Sequence, residues 1–210
     1  LLQGTLDTLY MTLVSTDIAY LIGIPLGVIL VITRRDGICP APKTNAVLGT
    51  IVNIMRSVPF LILIIVLIPF TRLVAGTSIG ATATIVPLIV GAAPFIARMV
   101  ESSLLEVDAG VVEAAQAMGA SPWQIVTKVL LKESVPSLVT GAAIALTTIL
   151  GYSAMAGAVG GGGLGDLAIK YGYHRYQTDV LLLTLIILVL LVQVIQALGN
   201  AVAKRIDHRK

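Results

Sequence analysis

The side chains able to do chemistry are few in this chain, and their spacing excludes most reactions. Gly160 to Gly163 and Gly165 form a run of the kind that cradles phosphate. A phosphate loop needs lysine and then serine or threonine after its last glycine, and Asp166 and Leu167 stand there instead. No G-x-x-x-x-G-K-S/T occurs elsewhere, so the chain is not expected to hold nucleotide itself. The glycines read as a close-packed turn, or as a loop that moves when a passage beside it opens. His174 and His208 are the only histidines, and neither has a carboxylate and a nucleophile patterned around it. Both read as solvated. The lone Cys39 excludes an intrachain disulfide and any cysteine-based metal site, and it reads as an incidental loop thiol. No catalytic group and no metal site emerge from these residue types and spacings.

That leaves Glu113 to Pro136, E-A-A-Q-A-M-G-A-S-P-W-Q-I-V-T-K-V-L-L-K-E-S-V-P, the only polar segment of any length between two long apolar runs. It reads as two short helices meeting at a glycine. Gly119 is free to take the left-handed conformation that ends a helix. Ser121, Pro122 and Gln124 then open a second helix: a serine cap, proline at the first helical position, and glutamine three residues after the cap. Ala114, Ala115, Ala117, Gly119 and Ala120 are small enough for another protein's backbone to come close. Glu113 is expected near a helix start, where a carboxylate is favoured. The bland alternative is a solvated connection.

The elements on either side belong in a membrane. Hydrophobic residues make up 57% of the chain and charged ones 12%, with a mean hydropathy of +0.97, whereas a soluble domain carries about 25% charge. A helical span needs about 20 mainly apolar residues. Five stretches qualify, near Leu9–Thr33, Val47–Phe70, Ala81–Val100, Leu138–Val159 and Val180–Val202. Pro59, Pro69, Pro87 and Pro94 fall in the second and third, where neighbours or water can satisfy the freed carbonyls. Residues 1–210 are read as one membrane domain. The chain begins at Leu1 without methionine, so a few residues are expected to precede it. Its first apolar run is too long for a signal peptide and lacks an A-x-A site.

Charge orients these spans. Arg34, Arg35 and Lys43 follow the first, Lys128 and Lys132 lie between the third and fourth, and Lys204, Arg205, Arg209 and Lys210 follow the fifth. The opposite side has Arg72, Lys170 and Arg175. The excess of positive charge expected on the inner side puts the C-terminus and the Glu113 segment in the cytoplasm, and the N-terminus outside. Lipid headgroups account for the net charge of +3 without nucleic acid. Three charges stand out near the membrane. Arg56 either snorkels to headgroups, if the second span begins near Asn53, or lines a pathway. Arg98 and Glu101 can pair along one helix face. Asp17 is solvated by Ser15 or Thr16, lies at a water-filled surface, or meets a substrate ammonium.

The Glu113 segment resembles the cytoplasmic coupling loop of ABC importer permeases, whose pattern is E-A-A-x3-G-x9-I-x-L-P. Glu113, Ala114, Ala115, Gly119 and Leu131 match it, Val129 replaces the isoleucine, and Lys132 stands at the proline. The run Asn53 to Phe60 with Ile68 to Arg72 is similar to the methionine branch of that family. So is Gly151 to Gly160 with the glycines to Gly165 and Tyr171-Gly172-Tyr173, and Val86 to Leu88 and Gly91 to Arg98 also fit.

The resemblance implies an all-α integral membrane protein with five transmembrane helices and a coupling loop at residues 105–135, the type I importer permease architecture. It implies import of methionine, D- or L-, across the bacterial cytoplasmic membrane. Implied partners are a second copy, two cytoplasmic ATPase subunits holding the ATP and Mg, an extracytoplasmic lipoprotein that binds methionine, and lipid, with no nucleic acid and no cofactor in this chain. Glu113, Ala114, Ala115, Met118, Gly119, Ala120 and Leu131 would dock the ATPase. Tyr152, Ser153 and Met155 either pack within an apolar helix or narrow a path between two copies, where a soft thioether yields to a similar side chain. Two alternatives stand beside this: a permease for another amino acid or a phosphonate, and a secondary transporter. The latter predicts inverted repeats, of which no convincing example is present.

Overall fold

The computed structural model describes residues 1–206. Asp207, His208, Arg209 and Lys210, with the reading of His208 and the last two basic charges, lie outside the described residues. Helices account for nearly all of the rest, and no strand occurs among the described residues. A chain this apolar must satisfy its backbone within each segment once water is gone, which leaves the helix as its open-ended solution.

Helix α1 runs Leu2–Ile32 without interruption at Pro25. Its 31 residues extend about 46 Å at 1.5 Å each, longer than a hydrocarbon core of about 30 Å. The second apolar stretch departs from the expected single span. It forms α2 (Pro42–Ser57), α3 (Phe60–Val66) and α4 (Ile68–Ala75), with α2 and α3 bent by 99° at the break. Pro59 is the reason. A proline pushes its predecessor, here Val58, out of the helical region, and Pro59 itself is extended, with φ −59° and ψ 130°. The third stretch, α5 (Ala81–Leu105), absorbs both Pro87 and Pro94 and stays one helix. Among the described residues, four helices are therefore long and apolar enough to cross a membrane, and a fifth span follows if the bent pair is counted as one.

Two short helices, α6 (Ala109–Ala117) and α7 (Pro122–Gln124), come next. The latter continues through a π-helical turn, Ile125–Leu130, into α8 (Leu131–Glu133). Then follow α9 (Val135–Ala156), a 3-10 turn Gly157–Val159, α10 (Gly163–Leu167), a π-helical turn Ala168–Tyr173, and α11 (Thr178–Ile206).

The residues group into two compact units. One comprises Leu1–Ala19, Val58–Ala92 and Ala143–Leu198; the other comprises Tyr20–Ser57, Ala93–Ala142 and the stretch from Gly199. In the second unit α1 lies close on α5 through Gly23 and Gly27, four residues apart on one helix face. A Cβ on Gly23 would come within 2.5 Å of Ile96, and one on Gly27 within 2.7 Å of Val100 and the Ala97 carbonyl. Lipid offers no hydrophobic drive between helices, so such close packing by small residues is what holds them. Asn45 closes the α1–α2 connection by donating to the Leu30 carbonyl at 2.6 Å and to Thr33 Oγ1 at 3.0 Å. Arg98 on α5 donates to Glu101 at 2.6 Å and to the Gly49 carbonyl of α2 at 2.9 Å.

In the first unit the glycine loop is pinned. The N–H of Gly80 donates to the Gly160 carbonyl at 2.9 Å, and Thr84 Oγ1 donates to the Gly161 carbonyl at 3.1 Å. The N–H of Leu164 donates to Thr8 Oγ1 on α1 at 2.9 Å. The Gly157 and Gly165 backbones cross with no room for a Cβ on either. Of the two readings for the glycine run, close packing describes this geometry. Helix α11 leaves most of its apolar surface uncovered within this chain, Thr184 being its buried residue.

Candidate functional site

The Glu113 segment has the two-helix form expected of it, and the local chemistry explains why. Asp108 caps α6, its carboxylate accepting from the Gly110 N–H at 2.7 Å. Gly119 has φ +79°, and the chain leaves α6 with Gly119 N–H on the Gln116 carbonyl and Ala120 N–H on the Ala115 carbonyl. Ser121 and Gln124 then form a reciprocal capping box, with Gln124 N–H on Ser121 Oγ at 3.3 Å and Ser121 N–H on Gln124 Oε1 at 2.8 Å. Pro122 sits at the first helical position.

The break is a protrusion. Met118 is 87% exposed and Trp123 74%, and no atom lies within 4 Å of a Cβ built on Gly119. Glu113 and Ala114 are exposed, while Ala115, Ala120 and Leu131 are half-buried. Large apolar side chains held out on a capped, rigid corner suit docking to another protein. Sequence reasoning passed over Trp123 and Asp108; an indole within a polar segment and an aspartate before an Ala-Gly pair were the available signals.

One expectation is corrected. Helix α6 begins at Ala109 and has no acidic residue in its first turn, so Glu113 is past the reach of the helix-start field. Glu113 instead lines a groove of about 320 Å3 with Arg34, Asp36, Val112 and Gln116. There the backbone N–H hydrogen bond at Asp36, and then Arg34 at 3.3 Å, hold the Asp36 carboxyl below the usual carboxylate range.

The second candidate set is on α9. Met155 is 52% exposed. Tyr152 is half-buried and stacks on Phe60 of α3, with ring centroids 4.5 Å apart and planes at 5°. Ser153 does not share their face. It is 1% exposed, and its hydroxyl donates to the Leu150 carbonyl of its own helix at 2.8 Å. On a helix, i and i+3 neighbour each other and i+1 does not, so Tyr152 and Met155 go together and Ser153 turns away.

Arg56 also differs from one expectation. Its helix starts at Pro42, not near Asn53, and Arg56 is an exposed cation in the last turn of α2, where it complements the C-terminal carbonyls. Asp17 is exposed midway along α1, in register with Leu6, Tyr10, Leu13 and Leu21 on its outward stripe. His174 is exposed and edge-on to Tyr173 at 5.3 Å.

The described residues thus form a helical, multi-span chain with a capped two-helix corner, and comparison with known proteins makes it a transport permease. The family described as binding-protein-dependent transport system inner membrane component matches residues 23–210, and the chain belongs to that family. It is a multi-pass subunit of the inner membrane, and a transport component, not an enzyme. It is 53% identical over 209 residues to the probable D-methionine transport system permease protein MetI of Vibrio cholerae serotype O1, covering 100% of this chain and 93% of that one. To the D-methionine transport system permease protein MetI of Escherichia coli K12 it is 55% identical over 157 residues, 75% and 72% of the two chains. A solved inward-facing structure of the MetNI methionine ABC transporter superposes with a TM-score of 0.98 at 51% identity, covering 99% of this chain and 96% of that one. An amino acid ABC transporter at 18% identity and a TM-score of 0.74 shares the fold.

Proposed function

We propose that this chain is the permease of an ATP-driven methionine importer. The observation that carries the reading is its similarity along essentially its whole length to permeases named for D-methionine transport. Two copies pair across a two-fold axis and form a path that one set of spans is too small to enclose. Both compact units belong to one permease domain. The N-terminus is outside and the C-terminus in the cytoplasm, in keeping with the basic residues beside α1, α8 and α11. In this orientation the corner at Gly119 meets a cytoplasmic ATPase through Glu113, Ala114, Ala115, Met118, Gly119, Ala120 and Leu131. That partner binds the ATP and Mg, and a lipoprotein outside delivers the amino acid.

The mechanism is helix docking. Closure of an ATPase pair on nucleotide draws the two capped corners together, and the force passes to α5 and α9, the helices on either side of the corner. A capping box and a left-handed glycine make the corner stiff enough to transmit it. At the path, Met155 beside the Tyr152–Phe60 stack seals with a polarizable thioether that repacks readily.

The test is reconstitution of the permease with its ATPase and binding protein in proteoliposomes. Labelled methionine should accumulate only with ATP inside the compartment that holds the ATPase. Uptake of a phosphonate or another amino acid in its place, or uptake without ATP, would overturn the assignment.

A further inference from the structure

We propose that a cavity within the first compact unit is a carboxylate site that takes the apolar amino acid on its way to the path. The cavity measures about 280 Å3, near the lower end of the range of about 300–1,000 Å3 usual for small-ligand pockets. Its walls come from α3 and α4, the turn before α5, the first turns of α5, and the glycine loop. Hydrogen bonds from Gly80 and Thr84 to the Gly160 and Gly161 carbonyls fix that loop against α5, so the cavity is built and not a gap between loose segments.

Among the polar side chains around it, Thr84 already donates to the Gly80 and Gly161 carbonyls, whereas Arg72 and Thr71 have hydrogen-bonding capacity to spare. Arg72 lines the cavity, and among the described residues its one side-chain hydrogen bond is a long one, Nη2 to Ser78 Oγ at 3.4 Å. No aspartate or glutamate lies among the lining residues. Beside Arg72, Thr71 is 4% exposed and its hydroxyl has no hydrogen-bond partner among the described residues. A buried hydroxyl without a partner is costly, and Thr71 is one of the residues that line the cavity. Ile64, Ile68, Ile79, Pro87 and Val159 make up most of the apolar wall, with Ala83, Thr84 and Gly161 completing the lining. A guanidinium with a spare hydroxyl beside aliphatic side chains recognises a carboxylate that carries a short apolar tail.

No anionic side chain is present to hold an ammonium, so the amino group stays at the open mouth and contributes little. That follows from the lining and separates this site from an ordinary amino-acid pocket. In the proposed orientation Arg72 is on the outer side, where the solute arrives. The choice of methionine as ligand rests on the methionine-import reading. The same chemistry would also accept the carboxylate of a fatty acid or lipid.

The permease–ATPase complex in nanodiscs tests this, with Cys39→Ser removing the native thiol and Ile79→Cys, at the exposed rim, as reporter. Maleimide labelling of the permease is timed with methionine, with 4-methylthiobutyrate, which lacks the ammonium, with methioninol, which lacks the carboxylate, and with oleate. For a dissociation constant of about 1 mM, about 10 mM methionine slows labelling about elevenfold. The methylthiobutyrate should protect as well, methioninol should not, and Arg72→Gln should abolish protection without changing the unprotected rate. Protection by methioninol, protection by oleate alone, or protection that survives Arg72→Gln overturns the proposal. Methionine uptake by the wild-type complex is measured alongside: loss of uptake counts against the importer reading, and intact uptake without protection counts against this site alone.

Discussion

Replacing Gly119 isolates the backbone contribution to the coupling corner, because its surroundings are open. Gly119 has φ +79°, and a Cβ there meets nothing within 4 Å. A side chain at this position therefore costs conformational strain and no clash within the chain. For alanine the left-handed region costs about 1 kcal/mol; for a β-branched valine about 2 kcal/mol is reasonable. Asparagine visits this region readily and costs less than either. Relaxing to a right-handed conformation would instead give up the bonds from Gly119 and Ala120 to the Gln116 and Ala115 carbonyls. None of these amounts unfolds a set of membrane spans, so insertion and dimerisation should survive. If the ATPase recognises the native corner, its affinity should fall about fivefold for Gly119→Ala and about thirtyfold for Gly119→Val. Uptake should fall with it.

The assay is co-purification of the ATPase with each variant, with ATP-dependent uptake measured on the same preparations. The order of asparagine and alanine is diagnostic. Backbone strain makes Gly119→Asn milder than Gly119→Ala, whereas close approach of a partner surface makes the bulkier asparagine worse. Wild-type complex recovery and uptake in all three variants would falsify the coupling role of this corner.

Other outcomes follow from particular contacts. A cysteine at Met155 should cross-link to its symmetry mate in the closed state, while Ser153→Cys and Leu190→Cys should not; equal reactivity of Met155 and Leu190 would make Met155 mere packing. Arg98→Gln should lower thermal stability by about 2 kcal/mol by leaving the partly buried Glu101 unpaired, and adding Glu101→Gln should recover part of the loss in the melting curve. Thr8→Val should cost about 1–3 kcal/mol by stranding the buried Leu164 N–H, with Thr8→Ser near wild type in the same melt. Lys132→Pro should leave complex recovery and uptake unchanged. The preceding turn is already widened, with Leu131 N–H bonding to the Val126 carbonyl, so a proline ring meets a ladder that is out of α register.

The sequence carried its local rules plainly and its long-range ones poorly. The capping box at Ser121 and the left-handed Gly119 depend on residues within a few positions of each other, and both could be read directly. The break at Val58–Pro59 was harder. The same proline signal occurs at Pro87 and Pro94 inside an intact α5, so a proline alone does not decide where a helix breaks. Gly23 and Gly27 became meaningful only once Ile96, Ala97 and Val100 were known to lie against them. Ser153 lies next to Tyr152 and close to Met155 in sequence, yet adjacency on a helix points side chains apart. Arg72 and Thr71 are unremarkable in the sequence; their shared cavity is assembled from segments as distant as Val159 and Gly161.

The hydrogen bond from Leu164 to Thr8 closes a loop of 156 residues, and that bears on how the protein is made. Helix α1 is made long before α10, with a face carrying Gly4, Thr8 and Met11 shaped to receive Leu167, Gly163 and Leu164. Those partners arrive only when α10 itself has been made. During that interval α1 must wait in the bilayer with its docking face open. A chain released before α10 would keep α1 and lack what seals it, leaving a recognisable unfinished surface. Completion of the glycine loop would then serve as the step that marks a nascent permease as assembled.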